Sequence, residues 1–232
     1  MKIFAHVSWL FATIIIATSL IIMILTFHIL PRPYSRKLAA WLIRIGIFFT
    51  VEVEGKEDPK AQMFLLNHQS NLDIVVMETI TTRDITWVAK KELFDIPLFG
   101  LILKMPQDIA VERESKTSLI KLLRDAKRTL KTNRVITMFP EGTRSTKDTM
   151  LPFKSGAKIV ADANKLCVQP IVLMQTSKYY NTKTYYYKPG RIKAIFLESF
   201  VADKNNENWL SDLRNKMQKV YDNELANNPS HR

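Results

Sequence analysis

A single cysteine, Cys167, excludes an internal disulfide in this 232-residue chain. It lies in an apolar strand candidate, so it reads as a buried small hydrophobe rather than a nucleophile. Acidic residues are missing from the first 50 positions, which hold Lys2, Arg32, Arg36, Lys37 and Arg44 but no Asp or Glu. No charged side chain of either sign occurs from Ile3 to Leu30. Internal repeats and low-complexity tracts are also lacking. The 47% of hydrophobic residues supply enough apolar surface for a core, which excludes a disordered chain.

What is present in excess is positive charge: 34 basic against 22 acidic side chains give a net +12. That value alone suits nucleic acid, anionic lipid or phosphorylated substrates equally. Its placement around the most hydrophobic part of the chain points to a membrane surface. At ~1.5 Å per residue, the stretch Val7 to Leu30 is long enough to cross ~30 Å of hydrocarbon. The run leaves through Phe27-His28-Ile29-Leu30-Pro31 without a small-residue cleavage site, so we read it as a retained anchor rather than a signal peptide. A second apolar run, Leu38 to Val51, is interrupted by Arg44 and is expected to form an interfacial or re-entrant helix whose Arg snorkels to the headgroups. Pro31 and Pro33 mark the turn between the two. Whether the first helix spans or both dip into one leaflet, the basic flank places the rest of the chain on the cytoplasmic face of the inner (plasma) membrane.

The polar cluster Glu54-Gly55-Lys56-Glu57-Asp58-Pro59 is where we expect a boundary between membrane-anchoring helices (1–53) and a catalytic domain (54–232). Beyond it, strand candidates at 62–66, 85–88, 109–112, 135–139, 168–174 and 192–197 alternate with helix candidates at 73–81, 115–131, 155–164 and 207–227. The expected class is α/β, a mixed central sheet flanked by helices and preceded by the membrane-embedded segment. In 115–131 the residues Leu119, Leu122, Leu123, Ala126 and Leu130 form an apolar stripe and Lys or Arg fill half of the remaining positions, which reads as a core-facing stripe with a solvated basic face.

Two short segments carry chemistry: Asn67-His68-Gln69-Ser70-Asn71-Leu72-Asp73 and Phe139-Pro140-Glu141-Gly142-Thr143-Arg144-Ser145. His68 follows a strand, and Ser70 or Asn71 can cap the helix that begins near Asp73, so the turn brings Asp73 back toward His68. Acyl transfer to a hydroxyl needs a base, and imidazole, with an ordinary pKa near ~6.5, suits this when a carboxylate fixes its tautomer and stabilises the imidazolium. In the second segment Gly142 lets the backbone approach a ligand and Arg144 offers a fork for phosphate. Glu141 either binds a substrate hydroxyl or holds the turn together.

With these motifs the chain resembles the 1-acylglycerol-3-phosphate acyltransferase family of membrane-bound glycerolipid enzymes over roughly Ala61 to Phe200. The likeness extends to Ala89-Lys90-Lys91-Glu92-Leu93, Ile96-Pro97-Leu98-Phe99-Gly100, the strand ending at Arg113, Phe153-Lys154-Ser155-Gly156-Ala157 and Val168-Gln169-Pro170-Ile171-Val172, all in family order. The resemblance implies that His68 is the general base and Asp73 its orienting partner. It implies further that Glu141, Gly142, Thr143 and Arg144, with Arg113, receive the phosphate of lysophosphatidic acid. The donor is implied to be a thioester, acyl-CoA or acyl-ACP (acyl carrier protein), with no cofactor, metal or covalent enzyme intermediate required. Gln107 stands where the family often has Gly, and Glu112 where it often has Asp.

The apolar stretch Phe94, Ile96, Leu98, Phe99, Leu101, Ile102 and Leu103 is a candidate wall for the acyl chain, with core packing as the alternative. Tyr179, Tyr180, Tyr185, Tyr186 and Tyr187, interleaved with Lys178, Lys183 and Lys188, suit stacking on single-stranded nucleic acid or a membrane-facing hairpin. The anchor favours the hairpin, and no nucleic-acid partner is expected. The reaction expected is acylation of lysophosphatidic acid to phosphatidic acid. The alternatives are acylation of a lyso-ornithine lipid or lysophosphatidylglycerol, or a non-catalytic basic membrane adaptor that would have no use for His68, Asp73 and Arg144 at one site.

Overall fold

The computed structural model describes residues 2–112, 116–145 and 147–227. In chain order it holds α1 (Lys2–Thr26), α2 (Arg32–Gly46), β1 (Phe49–Glu54), β2 (Met63–Leu66), α3 (Leu72–Ile80), β3 (Ile85–Lys90), the single turns α4 (Lys91–Phe94) and α5 (Leu101–Lys104), and β4 (Ile109–Val111). Next come α6 (Lys116–Lys131), β5 (Val135–Met138), α7 (Gly156–Asn164), β6 (Cys167–Leu173), the hairpin strands β7 (Tyr180–Asn181) and β8 (Tyr186–Tyr187), β9 (Gly190–Phe196), β10 (Phe200–Val201) and α8 (Trp209–Asn227). The six expected strands are β2 to β6 and β9, and the four expected helices beyond the anchor are α3, α6, α7 and α8.

The main sheet runs β1-β9-β6-β2-β5-β3-β4, with β10 added beside β6. It is mixed: β6 pairs antiparallel with β9 and β10, and the remaining neighbours are parallel. Its central strands alternate between two cores. Met63 and Leu65 face Leu122 and Ala126 of α6, Val160 of α7 and Met217 and Tyr221 of α8. Phe64 and Leu66 face the other way, toward Ala12 of α1, Ile43 of α2 and Val76 of α3. A strand buried on both faces has no polar side, which is why these strands read as short continuous apolar runs.

Two expectations about the N-terminal region are corrected. The second apolar run is not one helix over Leu38 to Val51: α2 starts earlier, with Pro33 in its first turn where no intrahelical N–H is lost, and Phe48 turns the chain through the left-handed region (φ 49). The alternating Phe49 to Glu54 then form β1, which pairs with β9 from Phe49 opposite Gly190 to Glu54 opposite Ile195. A division between residues 53 and 54 therefore cuts a strand of the main sheet. The polar cluster after it joins two strands of one sheet.

A buried charge ties α2 to the sheet. Arg36 donates through Nη1 to Glu78 Oε1 of α3 (3.3 Å) and to the Ile85 carbonyl (3.1 Å), and through Nη2 to Asp108 Oδ2. Trp87 completes the cluster, its indole N–H on Glu78 Oε1 (2.8 Å) and its backbone N–H on Asp108 Oδ1 (2.9 Å). Burial pushes the Glu78 and Asp108 carboxyls up, and the Arg36 cation opposes that shift. Nearby, Gln107 adopts φ 61, the backbone region where glycine is free of strain, and its side-chain oxygen accepts from Arg32 Nη1 (3.0 Å). The residue that departs from the family's glycine thus gains a contact to the start of α2.

Arg36→Met should cost about 3–5 kcal/mol, because two buried carboxylates lose their cation. Replacing all three groups, Arg36→Met with Glu78→Gln and Asp108→Asn, should recover part of it. Urea denaturation of the detergent-solubilised protein measures both, and a loss below about 1 kcal/mol for Arg36→Met would show that the cluster does not lock α2.

Candidate active site

The two motifs lie about seventy residues apart in sequence and meet because β2 and β5 are parallel neighbours, Leu65 opposite Met138. Each motif leaves the C-terminal end of its strand, the edge of an open parallel sheet where ligands bind. Asn67 extends the ladder to the other neighbour, β6: its Nδ2 donates to the Leu173 carbonyl (2.9 Å) and its Oδ1 accepts the Leu173 N–H (2.7 Å). The side chain behaves as one more residue of strand, and it sets where His68 leaves the sheet.

Asp73 is fully buried and gathers four donors. Oδ2 takes His68 Nδ1 (2.7 Å) and the backbone N–H groups of Gln69 (2.7 Å) and Ser70 (2.9 Å); Oδ1 takes the Thr176 hydroxyl, just after β6. The expected capping therefore runs partly in reverse, with Asp73 reaching back to Ser70 as in a capping box. Ser70 Oγ accepts the Leu72 N–H (3.2 Å) and donates to the Tyr180 carbonyl (2.6 Å). Asn71 makes no side-chain cap.

With Nδ1 committed to Asp73, the other imidazole nitrogen is left for a ligand. The ring lies flat on Phe139, centroids 3.8 Å apart and planes 10° apart, and Phe139 is itself stacked on Trp87. This fixes the ring plane as well as its tautomer.

Glu141 turns inward. Oε1 accepts the His68 backbone N–H and Oε2 the Leu151 N–H, each at 2.7 Å, so the carboxylate holds the turn together. Burial pushes its carboxyl up, against the pull of those two N–H groups. Gly142 has φ 69, a conformation that a β-carbon would strain. Arg144 is not loose in solvent: Nη1 donates to Asn71 Oδ1 (3.0 Å) and Thr182 Oγ1 (3.2 Å), while Nε and Nη2 meet no acceptor among the described residues. The Ser145 N–H donates to the His68 carbonyl (2.8 Å), closing one motif on the other. Arg113 lies outside the described residues.

A cavity of about 670 Å³ opens on these groups. His68, Gly142, Thr143 and Arg144 line its polar end. Its apolar walls come from Leu20 and Met23 of α1, Ala39 and Ile43 of α2, and Leu119 and Leu122 of α6. Of the candidate wall, Phe99, Ile102 and Leu103 line the cavity, Phe94 is buried, and Ile96 and Leu98 are exposed. The tyrosine-rich segment is a hairpin, as expected, packed on α1 through Trp9 against Tyr180 and Tyr185.

Sequence reasoning missed Thr176 and Tyr221, and it missed the ladder role of Asn67, which stood in the motif. Tyr221 of α8 accepts from Gln69 Nε2 (3.0 Å) and donates to Asp148 Oδ1 (2.8 Å), so the last helix supports both motif loops.

A strand-edge imidazole held by a buried carboxylate, beside an arginine and a long apolar cavity, describes an enzyme that moves an acyl chain. The family model described as acyltransferase matches residues 50–174, and the chain belongs to that family. It is 40% identical over 172 residues to the 1-acyl-sn-glycerol-3-phosphate acyltransferase of Helicobacter pylori, covering 74% of this chain and 73% of the relative. The Escherichia coli enzyme of that name is 31% identical over 144 residues, covering 60% and 59% respectively. The crystal structure of the 1-acyl-sn-glycerophosphate acyltransferase of Thermotoga maritima has the same fold, with a TM-score of 0.74, 21% identity and coverage of 98% and 97%.

Thr176→Val keeps the shape of the side chain and removes one donor from Asp73. A hydrogen bond to a charged group is worth about 1.5–3 kcal/mol, so turnover should fall roughly tenfold or more at unchanged KM. Steady-state kinetics decides: a change in KM alone would place Thr176 in substrate binding instead.

Proposed function

We infer that the chain is a 1-acyl-sn-glycerol-3-phosphate O-acyltransferase, which moves a fatty acyl group from a thioester to the free hydroxyl of lysophosphatidic acid and so makes phosphatidic acid for phospholipid synthesis. The observation that carries this reading is the cavity: His68, whose Nδ1 is held by Asp73, and Arg144 both line it, together with apolar side chains from α1, α2 and α6 that suit an acyl chain.

His68 takes the proton of the glycerol hydroxyl on the nitrogen opposite Asp73. The oxygen attacks the thioester carbonyl, and Asp73 stabilises the imidazolium formed. The Thr143 N–H, which engages no acceptor among the described residues, is available to the oxyanion. Collapse breaks the carbon–sulfur bond and releases the thiolate, which takes from His68 the proton removed from the hydroxyl. Arg144 holds the acceptor phosphate through Nε and Nη2, a role shared with Arg113. The donor is acyl-CoA or acyl-ACP, and these steps need no further cofactor.

The enzyme works at a membrane, with its catalytic part on the cytoplasmic face of the inner membrane. Support comes from α1 and α2, which expose an apolar surface through Leu10, Ile14, Ile21, Leu25, Tyr34, Trp41 and Ile45.

His68→Ala should abolish nearly all transfer in a folded, membrane-bound protein; comparable turnover would remove His68 from the base role. Arg144→Lys loses the fork that grips phosphate. Its KM for lysophosphatidic acid should rise so that kcat/KM falls roughly ten- to a hundredfold, while KM for the thioester holds. If only the thioester constant moves, Arg144 serves the donor.

Deleting the anchor would strip Ala12, Ile43 and Ile47 from the core, so membrane attachment is better tested at the surface. Exchanging Leu10, Ile14, Ile21 and Trp41 together for Ser should lower co-sedimentation with liposomes by roughly tenfold or more, given ~1.5–3 kcal/mol per large apolar side chain. Undiminished co-sedimentation would show that this surface is not the anchor.

A further inference from the structure

Helix α6 carries a charged surface that the reaction above does not use. Lys121, Arg124, Lys127, Arg128 and Lys131 are all exposed along one side of it. Its single acid, Asp125, is buried and lies 3.9 Å from Arg124 and 3.7 Å from Arg128. Lys121, Lys127 and Lys131 meet no acid among the described residues. Beside them stands Ile120, 69% exposed, a large apolar side chain among cations.

Two placements narrow what this surface meets. The opposite side of α6 packs in the core shared with α7 and α8, whereas α1 and α2 belong to the core on the other face of the sheet. A bilayer that receives the apolar surface of α1 and α2 therefore lies across the sheet from the α6 cations, which disfavours lipid headgroups as their partner. The stripe also begins beside the cavity. Leu119 and Leu122 line it, as do the exposed Lys154 and Ser155, so the cavity opens to solvent next to the first turns of α6.

We propose that this face of α6 docks an acidic protein that carries the acyl thioester, a carrier protein whose prosthetic arm enters the cavity between α6 and the start of α7. The inference rests on the acyl-transfer reading and names its donor. From Lys121 to Lys131 the cations extend ~15 Å at ~1.5 Å per residue, the span of an acidic helix rather than of one nucleotide. An apolar contact ringed by charge is the make-up of a protein interface, and complementary charge speeds encounter in a salt-dependent way.

The test compares two donors bearing the same acyl chain, one on acyl carrier protein and one on CoA, using the full-length protein in vesicles that contain lysophosphatidic acid. The variant is Lys121→Glu with Arg124→Glu and Lys127→Glu. KM for the carrier-bound donor should rise tenfold or more, KM for the CoA donor should stay within twofold, and added salt should weaken only the wild-type use of the carrier. Ile120→Ser should raise the carrier KM alone, by a smaller factor. Equal losses with both donors, no loss with either, or a wild-type protein that uses CoA but not the carrier would overturn the docking surface and leave the acyl-transfer reading standing. A variant that detaches from anionic vesicles would assign the cations to lipid and overturn it too. Failure of the wild type with both donors would instead bring down the acyl-transfer reading, and this proposal with it.

Discussion

The site depends on one buried carboxylate. Asp73 has no exposure to water, and an ionised group so placed is tolerable only when its lone pairs are filled. The four donors that fill them come from two places: the His68 ring and the backbone N–H groups of Gln69 and Ser70 in the loop after β2, and the Thr176 hydroxyl after β6. Satisfying the charge therefore fixes the loop, the start of α3 and the imidazole at once. The backbone of that loop is pinned again by Glu141 at the His68 N–H and by Ser145 at the His68 carbonyl. Position and tautomer of the His68 ring are thus consequences of burying a charge correctly.

Local patterns in the sequence sufficed for most elements. The apolar runs that became β2 to β6 are short, punctuated and separated by amphipathic stretches, and the His68 to Asp73 spacing is a local property of one turn. Local patterns do not reveal which strands are neighbours. That β2 lies between β5 and β6 is what brings Arg144 and Thr176 to the turn from His68 to Asp73, and those residues are separated from Asp73 by 71 and 103 positions. Thr176 and Tyr221 carried no signal, because a lone hydroxyl has no periodicity or motif of its own. Asn67 stood in the motif, but its part in the ladder appears only when β6 is beside it. β1 was masked by the apolar run that precedes it: Phe49 to Val51 read as the end of a helix until pairing with β9 is known.

The polar residues of the anchor follow the same logic in reverse. Arg36 read from the sequence as one of the basic residues that flank the first apolar run. Its guanidinium instead points into the protein, where Glu78, Asp108 and the Ile85 carbonyl take its hydrogens. A cation so deep in an apolar setting is kept only by such partners, and those partners lie on α3, at the start of β3 and just before β4. A charge read from the sequence as part of a membrane-facing flank is what binds α2 to the sheet.

That attachment has a consequence for substrate access. Leu20 and Met23 of α1 and Ala39 and Ile43 of α2 are walls of the same cavity on which His68 opens. The helices whose outer side suits hydrocarbon therefore supply, on their inner side, the surface that an acyl chain would line. Under the proposed reaction, a lysolipid drawn from the bilayer keeps its chain among apolar side chains while its headgroup approaches Arg144, so it need not expose ~0.8 kcal/mol per methylene to water on the way. The exposed apolar surface and the cavity wall are two sides of one pair of helices, and moving that pair relative to the sheet would alter both.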